Sequence, residues 1–364
     1  MEHDRFGRNR LARQLPGWIA AALLSLATTL WTFWGVGEMY YEGWWGAWTN
    51  RLPYLAPPAI CVACTLVALT WPRVGGWTIL LVGGAFTAWR WTRQAQLGLL
   101  TLHWALGWFP VSGALVVVGA LFLLEGRSRR QRRAAGEKTT RRWLHYLVAL
   151  APSLLTAIGV TALFAPLLLS RYDDGVRSGR QIDGNGVTMV WAPAGPGWNW
   201  HPLRGIGRYP SWDDLALYGV LPAGIHLQRK LEEGEHATEA DMQATGLCRY
   251  LSADGTALMP EPQDVWRMPT TDEVVRSLVR RGESAGCIWD GASARAECER
   301  QPNKDTPLWS PDEAPIYFWT GDEHDGGEAW YVPYTGGGLY GGMIDHQAKD
   351  WGNARHGFRC VKVP

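Results

Sequence analysis

The sequence predicts two unlike halves. Residues 1–170 form an N-terminal α-helical membrane domain of about five transmembrane helices, and residues 171–364 form a C-terminal α+β domain held by two disulfides. Three observations predict this. Charge is split, with 16 Lys and Arg against 6 Asp and Glu before residue 171 and 19 against 28 after it, so a net charge of +1 conceals +10 and −9. Several stretches before Ser170 approach the ~20 uncharged apolar residues that a bilayer crossing needs. Four of the six cysteines, an even number, fall in the second half. The split excludes a single soluble domain, and long apolar runs between the basic clusters exclude a nucleic-acid binder.

The expected spans are 16–36, 55–71, 75–89, 110–124 and 144–169. The third and fourth are short, so 94–108 is expected to lie at the interface, re-enter, or lengthen the fourth. Basic residues cluster before the first span (Arg5, Arg8, Arg10, Arg13), between the second and third (Arg73), and before the fifth (Arg127, Arg129, Arg130, Arg132, Arg133, Lys138, Arg141, Arg142). Short loops rich in Arg and Lys stay cytoplasmic, which favours an odd span count and places loop 37–54 and the C-terminal domain outside a bacterial cytoplasmic (inner) membrane. The first span lacks a small-residue cleavage site, so it is expected to stay attached.

Loop 37–54 is dense in Tyr and Trp, which prefer the headgroup level. Its acids Glu38 and Glu42 stand four apart, and their alternative reading is a proton path. Cys61 and Cys64 form a C-x-x-C inside an apolar span and read as buried, reduced thiols. Few ionisable groups lie within the spans, which argues against a transporter or channel.

In the second half, 186–192 reads as a strand. Thr238 with Asp241 starts a helix over 238–251, and Thr270 with Glu273, an S/T-x-x-E capping box, starts another over 270–280. Aromatic and β-branched enrichment marks strands at 316–320, 329–334 and 358–363, with a Gly-rich hairpin at 336–342. Of the three connectivities open to Cys248, Cys287, Cys298 and Cys360, the favoured one joins Cys248 to Cys360 and Cys287 to Cys298. The first bridge ties the first helix to the last strand, and the second closes a small loop.

The helix ending in Cys248 is followed in order by Trp266-Arg267-Met268-Pro269-Thr270-Thr271-Asp272-Glu273-Val274, Tyr317-Phe318-Trp319-Thr320-Gly321-Asp322-Glu323, Ala329-Trp330-Tyr331-Val332 and Gly357-Phe358-Arg359-Cys360-Val361-Lys362. This series resembles the Lcl-type C-terminal domain family, itself similar to the formylglycine-generating, sulfatase-modifying-factor superfamily. The resemblance spans roughly 238–363. It implies a C-type-lectin-like fold, and it implies a bridge between the first-helix and last-strand cysteines, in agreement with the favoured pairing. It does not carry catalysis, because the family's copper- and substrate-binding cysteine pair has no counterpart in 334–350.

The expectation is therefore a membrane-anchored, non-enzymatic recognition protein that binds an envelope glycan or a protein partner. The alternative is a formylglycine-generating-type oxidoreductase with a diverged active site. Asp322, Glu323, Asp325 and Glu328 crowd one turn and are candidate calcium ligands, although their spacing is not that of an EF-hand. Trp198, Trp200 and Trp212 are candidate aromatic ligand contacts, with packing in the core as the default reading. The histidines of this half, among them His324, His346 and His356, show no H-x-x-x-H spacing and read as scattered, so no metal centre is expected. A domain charge of −9 disfavours anionic glycans.

Overall fold

The structure is a computed structural model that describes residues 2–44, 47–96, 100–136, 142–169, 176, 178–193, 211–220, 234–302, 317–333, 344–352 and 356–364. The chain forms two compact units, one of Met1–Met39 with Arg51–Leu163 and the other of Tyr40–Asn50 with Phe164–Pro364.

The first unit is helical, with α1 (Glu2–Glu38), α2 (Leu52–Thr70), α3 (Pro72–Gln96), α4 (Leu102–Ala134) and α5 (Arg142–Leu169), the last running on into the second unit. Four expected spans fall within one of these helices and 55–71 overruns the end of α2 by one residue. Among the described residues, length and hydropathy qualify three as membrane-crossing: Gln14–Gly43, Trp48–Thr70 and Trp143–Pro166. Leu102–Trp108 with Gly113–Ala134, bent by 51°, makes a fourth if the pair counts as one span. Arg73, Arg90 and Arg93 hold α3 below that hydropathy.

Small residues let α3 and α4 approach closely. A Cβ on Gly76 would lie 2.9 Å from the Gly119 carbonyl oxygen, and one on Gly119 would lie 2.8 Å from that of Gly76. Glu125 of α4 is buried, and its Oε1 accepts from Arg129 Nε and Arg132 Nη2 at 2.7 Å each. Arg129 also donates to the Leu69 carbonyl at the end of α2 at 3.0 Å. Gly17 of α1 makes room for this carboxylate, since a Cβ there would meet it at 2.7 Å.

The second unit is built on a four-stranded sheet, β10–β7–β8–β9, formed by β7 (Tyr317–Glu323), β8 (Glu328–Pro333), β9 (Asp345–Ala348) and β10 (His356–Gly357). Both faces of β7 and β8 are buried. Phe318, Trp330 and Val332 pack into one core with Trp191, Val274 and Leu278, while Trp319, Ala329 and Tyr331 pack into the other with Trp212, Met242 and Trp266. This is why both strands read as continuous aromatic and β-branched runs instead of alternating ones. β7, β8 and β9 pair antiparallel, and β10 pairs with β7 in parallel.

A second sheet joins β1 (Arg180–Asp183), β2 (Thr188–Trp191) and β11 (Val361–Lys362), and two short hairpins add β3 (Val279–Arg280) with β4 (Glu283–Ser284) and β5 (Cys287–Ile288) with β6 (Glu297–Cys298). Three short helices, α6 (Trp212–Ala216), α7 (Glu239–Thr245) and α8 (Thr271–Arg276), each begin on a capping box. Both predicted helices end early. Gly246 turns extended, with φ −63° and ψ 148°, so only a 3₁₀ turn at Leu247–Tyr250 follows α7. After α8, Arg281 and Gly282 adopt φ of 52° and 79°, which reverses the chain into the β3–β4 hairpin. The predicted last strand is shorter, because pairing with β2 covers only Val361 and Lys362.

The cap of α8 is open to a simple test. Thr270 Oγ1 accepts the Glu273 amide at 3.2 Å and Glu273 Oε2 accepts the Thr270 amide at 2.9 Å. Thr270→Ala is expected to lower the stability of the C-terminal unit by about 1 kcal/mol, measured by chemical denaturation of the solubilised chain.

Both favoured disulfides are present. Cys248 is bridged to Cys360 across a sequence separation of 112, and Cys287 is bridged to Cys298, which faces it in the β5–β6 pair. The free cysteines are Cys61 and Cys64, both on α2.

Candidate functional site

The site is assembled where α7, α8 and β7 meet. Residues from all three line a cleft of about 430 Å³, floored by Met242, Met268 and the Cys248 bridge and rimmed by Glu239, Gln243, Arg249, Arg267, Glu273 and Asp322.

Arg267 is fixed at both ends. Its backbone exchanges hydrogen bonds with Val361 of β11 at 2.9 and 2.8 Å, and its guanidinium grips Glu273 in bidentate fashion at 2.7 and 2.6 Å. The neighbouring Cys360 is bridged to Cys248, so one disulfide ties the last strand, Arg267 and the segment after α7 together. Although burial raises the Glu273 carboxyl, the Arg267 bond and the Thr270 amide bring it below the usual carboxylate range.

The other two acids behave in the opposite way. Asp322 accepts the Thr271 amide at 2.6 Å, yet burial pushes its carboxyl up. Glu239 is raised by burial and then by Asp322 and Glu323 beside it. The cleft therefore offers one paired carboxylate, two further carboxyls raised by burial, the amide of Gln243 and the guanidinium groups of Arg249 and Arg267 as donors, and an apolar floor. Such a set can both donate to and accept from a ligand's hydroxyl groups.

The four acids at and around the β7–β8 turn, Asp322 and Glu323 at the end of β7, Asp325 in the turn and Glu328 at the start of β8, are not gathered on one point. Asp322 faces the cleft. Glu323 binds Lys349 Nζ at 2.5 Å and the Glu239 amide at 2.8 Å. Asp325 caps the turn by accepting the Gly327 and Glu328 amides at 2.8 and 2.9 Å. Glu328 reaches His346 on β9, with Nδ1 and Oε2 2.5 Å apart. Each carboxylate is spent on a separate partner instead of a shared oxygen cage.

Trp212 takes the core position that is its default reading. Its side chain is fully buried, donates to the Thr320 carbonyl at 2.8 Å and lies 5.0 Å below Lys349 Nζ. The Ser211–Asp214 capping box starts α6 there and turns the ring inward. Trp198 and Trp200, like the predicted hairpin at 336–342, lie outside the described residues.

Glu42 also finds a partner. It belongs to the Tyr40–Asn50 segment of the second unit, where its Oε1 accepts the Tyr317 hydroxyl at 2.6 Å. Burial, then Tyr41 and Glu42, raise that phenol well above its usual range. Behind it His356 is enclosed by the rings of Tyr317, Trp319, Tyr331 and Trp351.

Sequence reasoning missed two groupings. The cleft draws on residues distant in sequence, and Glu239 carried no signal beyond its place in the first turn of α7. The pairing of His324 with His346, whose rings stack 3.8 Å apart, depends on strand register.

Fold and site together define a class: a chain with membrane-length apolar helices joined to a disulfide-bonded α+β unit that bears a polar cleft. Among known proteins, no family model, curated protein or solved structure matches this chain.

Proposed function

We propose that the chain is a multi-pass protein of the cytoplasmic (inner) membrane of a bacterium. All five long helices act as spans, the N-terminus is cytoplasmic, and the C-terminal unit is displayed outside as a recognition module. The module is lectin-like and related to the Lcl-type family through the motif order ending in Gly357-Phe358-Arg359-Cys360. Its occupant is an uncharged, hydroxyl-rich envelope glycan bound in the cleft, and a protein partner is the competing outcome. The observation that carries this reading is the rim of Glu239, Gln243, Arg267 and Asp322 over a methionine floor. Both donors and acceptors line that rim, and the apolar floor suits a pyranose face. The acidic charge of the unit favours a neutral glycan over an anionic one.

The oxidoreductase alternative needs a thiol, and all four cysteines beyond the apolar helices are bridged. The test is titration of the full chain in lipid nanodiscs with neutral envelope oligosaccharides by calorimetry. Saturable binding that weakens at least tenfold in both Glu239→Gln and Gln243→Ala is expected. Absence of binding, or affinity unchanged in both variants, contradicts the glycan reading.

A further inference from the structure

We propose that His324, Glu328 and His346 form a binding site for a divalent transition-metal ion of the zinc type, separate from the cleft. Their ligand atoms all lie within 4.8 Å of one another, a convergence found for no other group of His, Cys, Asp and Glu among the described residues. Both imidazoles turn the same atom toward the same oxygen. Nδ1 of His346 is 2.5 Å and Nδ1 of His324 is 3.6 Å from Glu328 Oε2.

Rigid elements hold the three in place. Glu328 pairs with Ala348 and Trp330 pairs with His346, so Glu328 and His346 sit diagonally on one face of the β8–β9 ladder. His324 stands in the β7–β8 turn, where its amide donates to the Glu328 carbonyl at 2.9 Å, and Asp325 caps that turn. The buried Trp330 ring meets both imidazoles edge-on at 4.7 and 5.3 Å. The two rings stack 3.8 Å apart and 3° from parallel, so the exposed His324 ring must rotate about its side chain for both Nδ1 lone pairs to reach one ion.

The donor set names the ion class. Two imidazoles and one carboxylate suit Zn²⁺, Co²⁺ or Ni²⁺, whereas Ca²⁺ wants six to eight oxygens. Zinc bonds of about 2.0–2.2 Å place tetrahedral ligand atoms about 3.4 Å apart, inside the range these three atoms already occupy. All three side chains are part exposed, at 31%, 40% and 36%, which leaves an open coordination position for water or for a group on a partner.

The experiment uses the full chain in nanodiscs, purified without a histidine tag and stripped with chelator. It is titrated with Zn²⁺ by calorimetry and with Co²⁺ by visible absorption. One site should appear that Ca²⁺ does not compete for, with the ligand-field bands of tetrahedral or five-coordinate cobalt. Glu328→Gln and His346→Ala should each weaken it at least 100-fold. Undiminished zinc affinity in both variants, or competition by Ca²⁺, overturns the proposal. A second reading does not depend on variants folding. Zn²⁺ should protect His324 and His346 of the unmodified chain from diethylpyrocarbonate, and equal modification with and without Zn²⁺ overturns the proposal as well. The site does not rest on the glycan reading of the cleft, so either can fail alone.

Discussion

Replacing Cys248 and Cys360 together by serine is expected to cost the C-terminal unit about 5 kcal/mol, the largest single loss in the molecule. The bridge closes a loop with a sequence separation of 112, and on the loop-closure account its removal returns that much entropy to the unfolded chain. Little else compensates among the described residues, because much of that part of the unit is loop and its second sheet pairs β11 with β2 at two residues only. The loss also reaches the cleft. Cys360 lies between Arg359, whose guanidinium donates to the Ala192 carbonyl at 2.8 Å, and Val361, whose backbone holds Arg267. Hydrogen exchange of the solubilised chain should show loss of protection across α7, Trp266–Met268 and β11 together. The Cys287–Cys298 bridge closes a separation of only 11, so its serine pair should cost less, about 3 kcal/mol on the same account.

Acid is expected to cost the same unit about 3 kcal/mol through His356 alone. Burial lowers this imidazole from 6.5 to about 4. The folded chain thus resists the proton that the unfolded chain accepts, and stability from this group is complete above about pH 6.5. It declines as the pH falls through the window to about 4, and the drop in affinity for the proton converts to about 3 kcal/mol. The groups facing the ring are Tyr317 and Tyr331, neutral throughout that window. Asp213 and Asp322, both raised by burial, act in the opposite sense as the pH falls, so the raw profile is a sum. Thermal unfolding from pH 7 to 4, compared with His356→Phe, separates them. The variant carries a constant cost, and its profile should lack the fall that the unaltered chain shows between 6.5 and 4.

How much of this was legible in the sequence follows from how local each signal is. The long helices announced themselves through uncharged runs, and α7 and α8 through capping boxes at Thr238 and Thr270, because each depends on neighbours a few residues apart. Their ends did not, since Gly246 and the Arg281–Gly282 reversal are set by what the chain packs against next. Trp212 stayed open between core and ligand contact for a related reason. Its Pro- and Gly-rich surroundings lack periodicity, and only the Ser211 cap directs it inward. The cysteine pairing was within reach because four residues allow three connectivities.

The site was less legible. An acidic turn looked like one ligand set, yet alternation along β7 and β8 sends Asp322, Glu323 and Glu328 to different partners. His324 and His346 were dismissed by a spacing rule suited to helices, whereas the β8–β9 register and the β7–β8 turn bring them together. Arg267 and Glu273 stood in a recognised motif, but the cleft they border exists only once β7 and α7 are folded against it.

The most direct test of the account is the state of the sulfur atoms in the chain taken from its native membrane. Thiols are blocked before lysis, and the chain is digested and mapped without reduction. The account predicts blocked thiols at Cys61 and Cys64, and linked peptides joining Cys248 to Cys360 and Cys287 to Cys298. Blocked thiols at Cys248 and Cys360 would contradict it, placing the C-terminal unit in a reducing compartment and reopening the case for sulfur chemistry at the cleft.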